Sequence, residues 1–492
     1  MARVLARVQS AGDSARIIRV RGAAMSDAVA SSQSKAGLSN GLAVLKQHFG
    51  ERIETGLALR NQHAHTTTWL TNQPPDAVFC PRDTAEVQKV VGICAQYRVP
   101  VIPFGTGSSL EGHVNAPHGG ISIDFKDMNA ILAVNADDMD ATVQPGVTRK
   151  ALNTHLRDTG LFFSVDPGAD ASIGGMAATG ASGTNAVRYG TMKDNILALK
   201  AVLPSGEVIT TAARARKTSA GYDLTRLMVG SEGTLGLITE LTLRLRGIPE
   251  AISAATCSFP SVDAACRAVI LTIQYGLPVA RIELLDALQV RAVNAYSKLS
   301  LPETPLLLLE FHGSAAGVAE QAEAFGDIAA EMGGSGFTFT TREEERNQLW
   351  QARHDAYWAG LQLRPGAKGL STDVCVPVSR LADCVGAAQE KLADDGITAP
   401  IVGHVGDGNF HCLLLVDMDN PDEVHRAEGF VGWLNDLAIS MDGTCTGEHG
   451  IGQGKAKYLE RELGAEAMVM MQAIKRGIDP LNIMNPGKMG LG

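Results

Sequence analysis

The sequence predicts an α+β protein assembled from two parts. Three observations carry this expectation. The chain has 492 residues, more than one ordinary hydrophobic core organises. Before residue 249, short strands alternate with helices and are punctuated by three glycine clusters. After Gly247-Ile248-Pro249 the grammar changes to longer strands alternating with helices, the pattern of an α+β unit with a largely antiparallel sheet. The expected boundaries are a leader at 1–40, a ligand-binding domain at 41–249, a substrate or cap domain at 250–442, and a C-terminal segment at 443–492 that returns to the cofactor.

Residues 1 to about 35 are rich in Ala, Ser and Arg, with Arg3, Arg7, Arg16, Arg19 and Arg21 against only Asp13 and Asp27. This suits an amphipathic mitochondrial transit segment, a disordered bacterial leader, or an over-extended start in which Met25 is the first residue. From Gln73 the α/β pattern begins. Asp83-Thr84-Ala85-Glu86 opens a helix to about Tyr97. The strand Val99 to Phe104 runs into Gly105-Thr106-Gly107-Ser108-Ser109, the first glycine cluster. Strands follow at Ile121 to Phe125 and Ala141 to Gln144, then a helix from Thr148 to Asp158. The second cluster spans Asp166 to Gly190, where Ser172-Ile173-Gly174-Gly175 can present backbone N–H groups at a helix start, an anion site by geometry and dipole. Leu197 to Leu203 and Glu207 to Thr210 form a hairpin. The third cluster is Gly230-Ser231-Glu232-Gly233-Thr234-Leu235-Gly236, and the strand Leu237 to Leu245 leaves it.

In the second part, strands such as Ile252 to Phe259 and Leu306 to Phe311 alternate with helices such as Val262 to Tyr275 and Ala315 to Glu331. A long helix is expected from Thr341 through Leu363. Two strands are expected around Gly406-Asp407-Gly408-Asn409, with Asp407-Gly408 as a two-residue type I′ turn. Counting outward places His404 opposite His411, where two imidazoles could share a metal. The plain alternative is two packed histidines. A second acid–imidazole pair, Glu448-His449, strengthens the metal reading. Helices are expected from about Gly452 to Gly464 and from Glu466 to about Arg476.

Composition limits what this chain does. The net charge is −10 without a sustained basic patch, which argues against nucleic acid and anionic membrane surfaces as partners. The longest apolar runs are strand-length, far short of the roughly 18 residues of a membrane span. Eight cysteines are dispersed without a C-x-x-C pair, which fits a reducing compartment and excludes the usual iron–sulfur spacings. No Walker A loop and no G-x-G-x-x-G with its helix and distal acid occurs, so a standard NAD site is disfavoured. Three clusters with many hydroxyls favour a pyrophosphate cradle over turns alone.

Together these residues match a known family. Pro103-Phe104-Gly105-Thr106-Gly107-Ser108-Ser109, Asp166-Pro167 with Ile173-Gly174-Gly175, and the 230–236 cluster resemble the FAD-binding domain of the vanillyl-alcohol-oxidase type. The His404 hairpin, Cys445 to Gly452 and Asn485-Pro486-Gly487-Lys488 resemble its FAD-linked 2-hydroxyacid dehydrogenase branch, within it the cytochrome-type D-lactate dehydrogenases. The resemblance runs from about residue 50 to the C-terminus. It implies that the 103–109 loop and the Ser172 to Gly175 turn hold the FAD pyrophosphate. Thr179, Ser182, Gly183, Glu232 and Ile238 would line the adenine, ribose and flavin path, and Asn485 would return to the flavin. Some relatives attach flavin through a His in the first loop; Ser108 stands there here, so the FAD is expected to be non-covalent.

The same resemblance implies a divalent metal, zinc or manganese, on His404, His411 and Glu448, with His449 as general base. Arg353 is the candidate clamp for the substrate carboxylate, against a plain salt bridge to one of Glu343 to Glu345 or to Asp355. Lys368 is a weaker second candidate. Relatives acting on D-2-hydroxyglutarate place Asn two residues after the second hairpin His; Leu413 occupies that position and cannot pair a distal carboxylate. The expected substrate is therefore D-lactate or a related 2-hydroxyacid. The expected electron acceptor is cytochrome c, an electron-transfer flavoprotein or a quinone. The flavin subunit of a glycolate oxidase or a D-2-hydroxyglutarate dehydrogenase, a non-catalytic flavin electron-transfer module and a metallohydrolase are the competing readings. The compartment is cytoplasmic if the chain is bacterial and mitochondrial if the leader is a transit segment. Oligomeric state is open.

Overall fold

The computed structural model describes residues 36–491, so the leader reading for residues 1 to about 35 lies outside the described residues. Two of the sheets form the first part. Ala77–Phe79, Ile121–Asp124 and Val101–Phe104 make a three-stranded parallel sheet with Ile121–Asp124 in the centre. Its strands are buried, as parallel strands covered by helices must be. The helix Thr84–Tyr97 covers it with Val87, Val90, Val91 and Cys94, a 3–4 spacing that makes one apolar face. Asp83 caps this helix by accepting from Glu86 N at 2.9 Å, worth about 1 kcal/mol. The second sheet is five-stranded and antiparallel, in the order Ile131–Asn135, Asp140–Val143, Leu237–Arg244, Ile196–Val202, Val208–Thr210.

The chain's tail completes the parallel sheet. Val101 N donates to Ile483 O at 2.7 Å, and Asn485 N donates to Val101 O at 2.8 Å. Lys475 holds the tail from below, donating to Asp479 and to the carbonyls of Thr234 and Met484.

The second part is one large antiparallel sheet in the order Ser335–Thr340, Ala251–Ser258, Leu306–Gly313, Val279–Leu285, Ile401–Gly403, Asn409–Val416, Lys368–Ser371. Side-chain alternation sorts it into two faces. Leu307, Leu309, Phe311, Ile282, Leu284, Phe410, Cys412 and Leu414 enter one core under the helices Val262–Gln274, Ala315–Glu331 and Leu381–Asp394. Leu306, Leu308, Leu285 and Val402 enter another, with Val290 and Trp350. On this second face stand Glu283, His411 and Leu413.

Three sequence expectations are corrected. The Asp407-Gly408 pair is not a two-residue type I′ turn. Val405–Asp407 forms a 3₁₀ turn, and only Gly408 takes a left-handed φ, +82°. Val402, not His404, faces His411. The reason is local packing: a Cβ on Gly408 would lie 2.0 Å from Val376 O, so the loop is pressed against a neighbouring strand and lengthened. The long helix also breaks. Glu343–His354 ends at Asp355, and Ala356–Leu361 starts afresh. The expected helix after Gly452 is reduced to a 3₁₀ turn, Ala456–Tyr458, and Leu459–Leu463.

A buried charge cluster ties the two parts. Arg281 lies 3.3 Å from Asp166 and 3.6 Å from Glu310, and donates to Asn185 at 2.9 Å. Tyr189 and Glu310 meet across His312, each at 2.7 Å. Replacing Arg281 by Met leaves two buried carboxylates without their shared cation. The expected result is a loss of about 3 kcal/mol, seen as a lowered midpoint in thermal or urea denaturation.

Candidate active site

One cavity of about 570 Å³ runs between the two parts. At one end its wall is made by the glycine clusters. Pro103, Phe104, Gly105, Thr106, Gly107, Ser108, Ser109, Asp166, Pro167, Ser172, Gly174, Gly175, Thr179, Ser182, Glu232, Ile238 and Asn485 all line it. At the other end stand Arg353, His404, His411, Glu448 and His449. Residues separated by hundreds of positions are thus brought to one space.

Two expected cofactor residues are not on the wall. Ile173 is fully buried in the core of the second sheet. Gly183 packs beneath Asp166, where a Cβ would meet the Asp166 carbonyl at 2.4 Å; its role is close approach of two chains. The anion site at Ser172 to Gly175 is also narrower than expected. Ile173 N and Gly174 N are already donated to Val147 O and Pro145 O. That leaves Gly175 and the Ser172 hydroxyl, which is buried without a partner.

The glycine-rich end fits a dinucleotide. The Ser109 and Ser172 hydroxyls and Asn485 Oδ1 are buried on the wall with no partner among the described residues, the state of groups made to meet a polar ligand. Gly105 presses against Ser172, leaving no room for a Cβ. Asn485 adopts φ +40° and donates to the carbonyls of Glu232 and His113 at 2.7 and 3.2 Å. Glu232 holds the C-terminal stretch by accepting from Ile451 N at 2.6 Å and Gly452 N at 2.8 Å. Burial opposes its charge, but His113 at 3.2 Å and these amides hold its pKa below the usual carboxylate value.

At the other end three side chains converge. Glu448 Oε1 lies 3.3 Å from His404 Nε2 and 3.4 Å from His411 Nε2. One ligand atom from each of the three falls within 4.8 Å of the others. His411 Nδ1 is 2.8 Å from the Thr372 carbonyl, which only accepts, so Nδ1 carries the proton and Nε2 offers its lone pair. His404 Nδ1 is likewise bound to Glu283 Oε1 at 2.8 Å. A carboxylate facing two imidazole lone pairs is the arrangement of a cation site with oriented outer partners. In the protein alone His404 takes up that charge: burial disfavours it, but Glu283 and Glu448 raise its pKa well above the ordinary imidazole value.

His449 stacks on His411, with ring centroids 5.1 Å apart. Its burial lowers its pKa to about 4, against the opposing pull of Asp373, so its imidazole is neutral and able to take a proton. Arg353 is bound neither to Glu343 to Glu345 nor to Asp355. It pairs with Glu283 through Nε at 2.8 Å and Nη2 at 2.7 Å. Lys368 is exposed and absent from the wall. The helix break at Asp355 explains how Arg353, His354, Ala356, Tyr357 and Trp358 all reach the cavity; a straight helix turns 100° per residue and could not present them together.

Sequence reasoning missed Glu283, Asp373 and Lys455. The signal for the first two was available: each is a lone acid flanked by apolar or β-branched residues in a strand-like run, Ile282-Glu283-Leu284 and Thr372-Asp373-Val374. An acid in such a place is buried only if it is paired.

A hydroxyl-lined cradle and a basic–acidic cluster in one cavity define an enzyme that acts on a small polar substrate beside a dinucleotide cofactor. Comparison with known proteins makes the class definite. Residues 75–212 match the FAD binding domain, and residues 248–489 match the C-terminal domain of FAD linked oxidases. The chain is 51% identical to a protein of Danio rerio named probable D-lactate dehydrogenase, mitochondrial, over 89% of each chain. It is 48% identical to the D-lactate dehydrogenase [cytochrome], mitochondrial, of Arabidopsis thaliana, over 84% of this chain and 73% of the relative. Among solved structures, 4-ethylphenol oxidase from Gulosibacter chungangensis superposes with a TM-score of 0.74 at 18% identity, covering 93% of this chain and 97% of that one. This chain belongs to the FAD-linked oxidase family and has the two-domain vanillyl-alcohol-oxidase fold.

Gly105→Ala places a methyl group against Ser172 within the cradle. Purified protein carrying this change is expected to lose bound FAD, read as a fall in flavin absorbance relative to protein, while its fold, read by circular dichroism, is retained.

Proposed function

We propose that this chain oxidises D-lactate, or a related D-2-hydroxyacid with an apolar side chain, to the 2-oxoacid, with a divalent metal at His404, His411 and Glu448. The observation that carries this reading is the convergence of those three ligand atoms on the cavity that the glycine loops also line. The names of the relatives support the substrate.

Bound FAD supplies the acceptor for the two electrons that leave the substrate as a hydride from C2. A zinc or manganese ion supplies a Lewis acid that lowers the pKa of the substrate hydroxyl. The remaining work falls to the chain. His449, neutral and buried, takes the hydroxyl proton on its imidazole. Arg353 holds the substrate carboxylate: Glu283 engages Nε and Nη2, Arg353 lines the cavity, and a guanidinium has five N–H donors in all. Glu283 braces both Arg353 and His404, so one buried carboxylate orients a metal ligand and the clamp. Leu413 and Val402, buried on the cavity wall, offer an apolar surface to the substrate side chain and no partner to a second carboxylate.

A cytochrome is the proposed electron acceptor, supported by the bracketed word in the relative's name; an electron-transfer flavoprotein or a quinone would serve the same chemistry. A mitochondrial location is supported by the Arg-rich first 35 residues and by the names of the relatives. The fold contains no helix long and apolar enough to cross a membrane among its described residues.

Without oxygen, D-lactate is expected to bleach the flavin band, and prior treatment with a chelator to abolish the bleaching. Bleaching by D-2-hydroxyglutarate in preference to D-lactate would overturn the substrate reading. Bleaching that survives complete metal removal would overturn the metal. Glu283→Gln is expected to weaken metal binding about 10- to 100-fold, measured as metal retained per protein after dialysis against a graded chelator series.

A further inference from the structure

We propose that Asp373 is a positioning residue for His449: it fixes the backbone that carries the base and sets the imidazole's orientation in the cavity. The inference deepens the proposed function and rests on the reading of His449 as the base.

The Asp373 side chain is wholly buried. Its Oδ1 accepts from Asn409 Nδ2 at 2.9 Å. Its Oδ2 accepts from the Thr446 hydroxyl at 2.8 Å, from Glu448 N at 3.1 Å, from His449 N at 2.9 Å and from Lys455 Nζ at 3.3 Å. The Lys455 ammonium alone would balance the charge. The further donors add geometry, and two of them are the consecutive amides of Glu448 and His449. Asp373 therefore seats a proposed metal ligand and the proposed base on the same carboxylate.

The preceding residue does the matching task for the other ligand. Thr372 O accepts from His411 Nδ1 at 2.8 Å, and Thr372 Oγ1 accepts from Cys412 N at 2.8 Å. The Thr372-Asp373 dipeptide thus aligns the His411 strand with the 446–449 turn, and the stacking of the His411 and His449 rings at an interplanar angle of 9° is the outcome. Among the described residues His449 Nδ1 has no hydrogen-bond partner, and Asp373 Oδ2 lies 4.0 Å from it. Asp373, His411 and His449 also offer ligand atoms close together. The Lys455 ammonium beside Oδ2 already supplies the cation there, and like charges repel.

A double-mutant cycle tests the assignment, because two residues acting through one group are not additive. Asp373→Asn, His449→Ala and the double variant are loaded with FAD and metal, both contents are measured, and flavin reduction by D-lactate is followed in stopped flow without oxygen. Asp373→Asn is expected to slow the limiting rate about 100-fold, the scale of general-base catalysis, with little change in the half-saturating D-lactate concentration. The double variant is expected to be no slower than His449→Ala alone. Losses that multiply in the double variant would overturn the proposal while leaving His449 as the base. A His449→Ala protein that reduces at the unaltered rate would overturn the base itself, and the positioning role with it. Where Asp373→Asn yields no folded holoprotein, Thr446→Val decides: it removes one donor from Oδ2 and is expected to slow reduction only while His449 is present. Equal slowing in both backgrounds would overturn the proposal.

Discussion

The constraint on which this structure depends is the burial of carboxylates beside imidazoles. Glu283, Asp373 and Glu448 stand around His404, His411 and His449, where little solvent can solvate charge. Each carboxylate is therefore given several donors, since an unpaired buried charge costs several kcal/mol. Arg353 and His404 answer Glu283; Lys455, Thr446, Asn409 and two amides answer Asp373. Among the described residues Glu448 pairs with the two imidazoles alone. Of these three carboxylates it has the fewest donors, and it sits where the proposed metal would go.

The same electrostatics governs how the two parts meet. Arg281 serves Asp166 from the first part and Glu310 from the second. Glu232 at the glycine-rich end reaches the backbone of Ile451 and Gly452, two and three residues beyond His449. The cofactor cradle and the acid–imidazole cluster are thus joined by a few hydrogen bonds through one short glycine-rich stretch. Glycine is needed there: Gly452 takes φ +48°, and a Cβ on it would strike Glu111 O at 2.1 Å.

Much of this was legible in the sequence, for stated reasons. Strand and helix types followed from periods of 2 and 3.6, as in Leu306 to Phe311 and Thr84 to Tyr97. The glycine clusters announced a ligand because their hydroxyls had no other evident use. The proposed ligand and base residues came from the resemblance, and the structure brings all four side chains to one cavity. What could not be read was three-dimensional pairing. The partner of Arg353 is 70 positions away, beyond any local rule. The turn at Asp407-Gly408 obeyed tertiary packing against Val376 over its own dipeptide preference. The break at Asp355 has no proline or glycine to announce it. Ile173 and Gly183 lie in the right motifs but off the cavity wall, because a motif records close packing as well as contact.

The tail that lies along Val101 sets an order on biosynthesis. The three glycine clusters emerge from the ribosome long before Met484 and Asn485, yet the sheet edge that leads into the first of them is finished only by those residues. A nascent chain paused after the second part would hold its cap domain while its nucleotide cradle stayed open at one side. A polypeptide cut short before residue 479 would carry all three glycine clusters and lack both the tail that pairs with Val101 and the Asn485 side of the cavity wall.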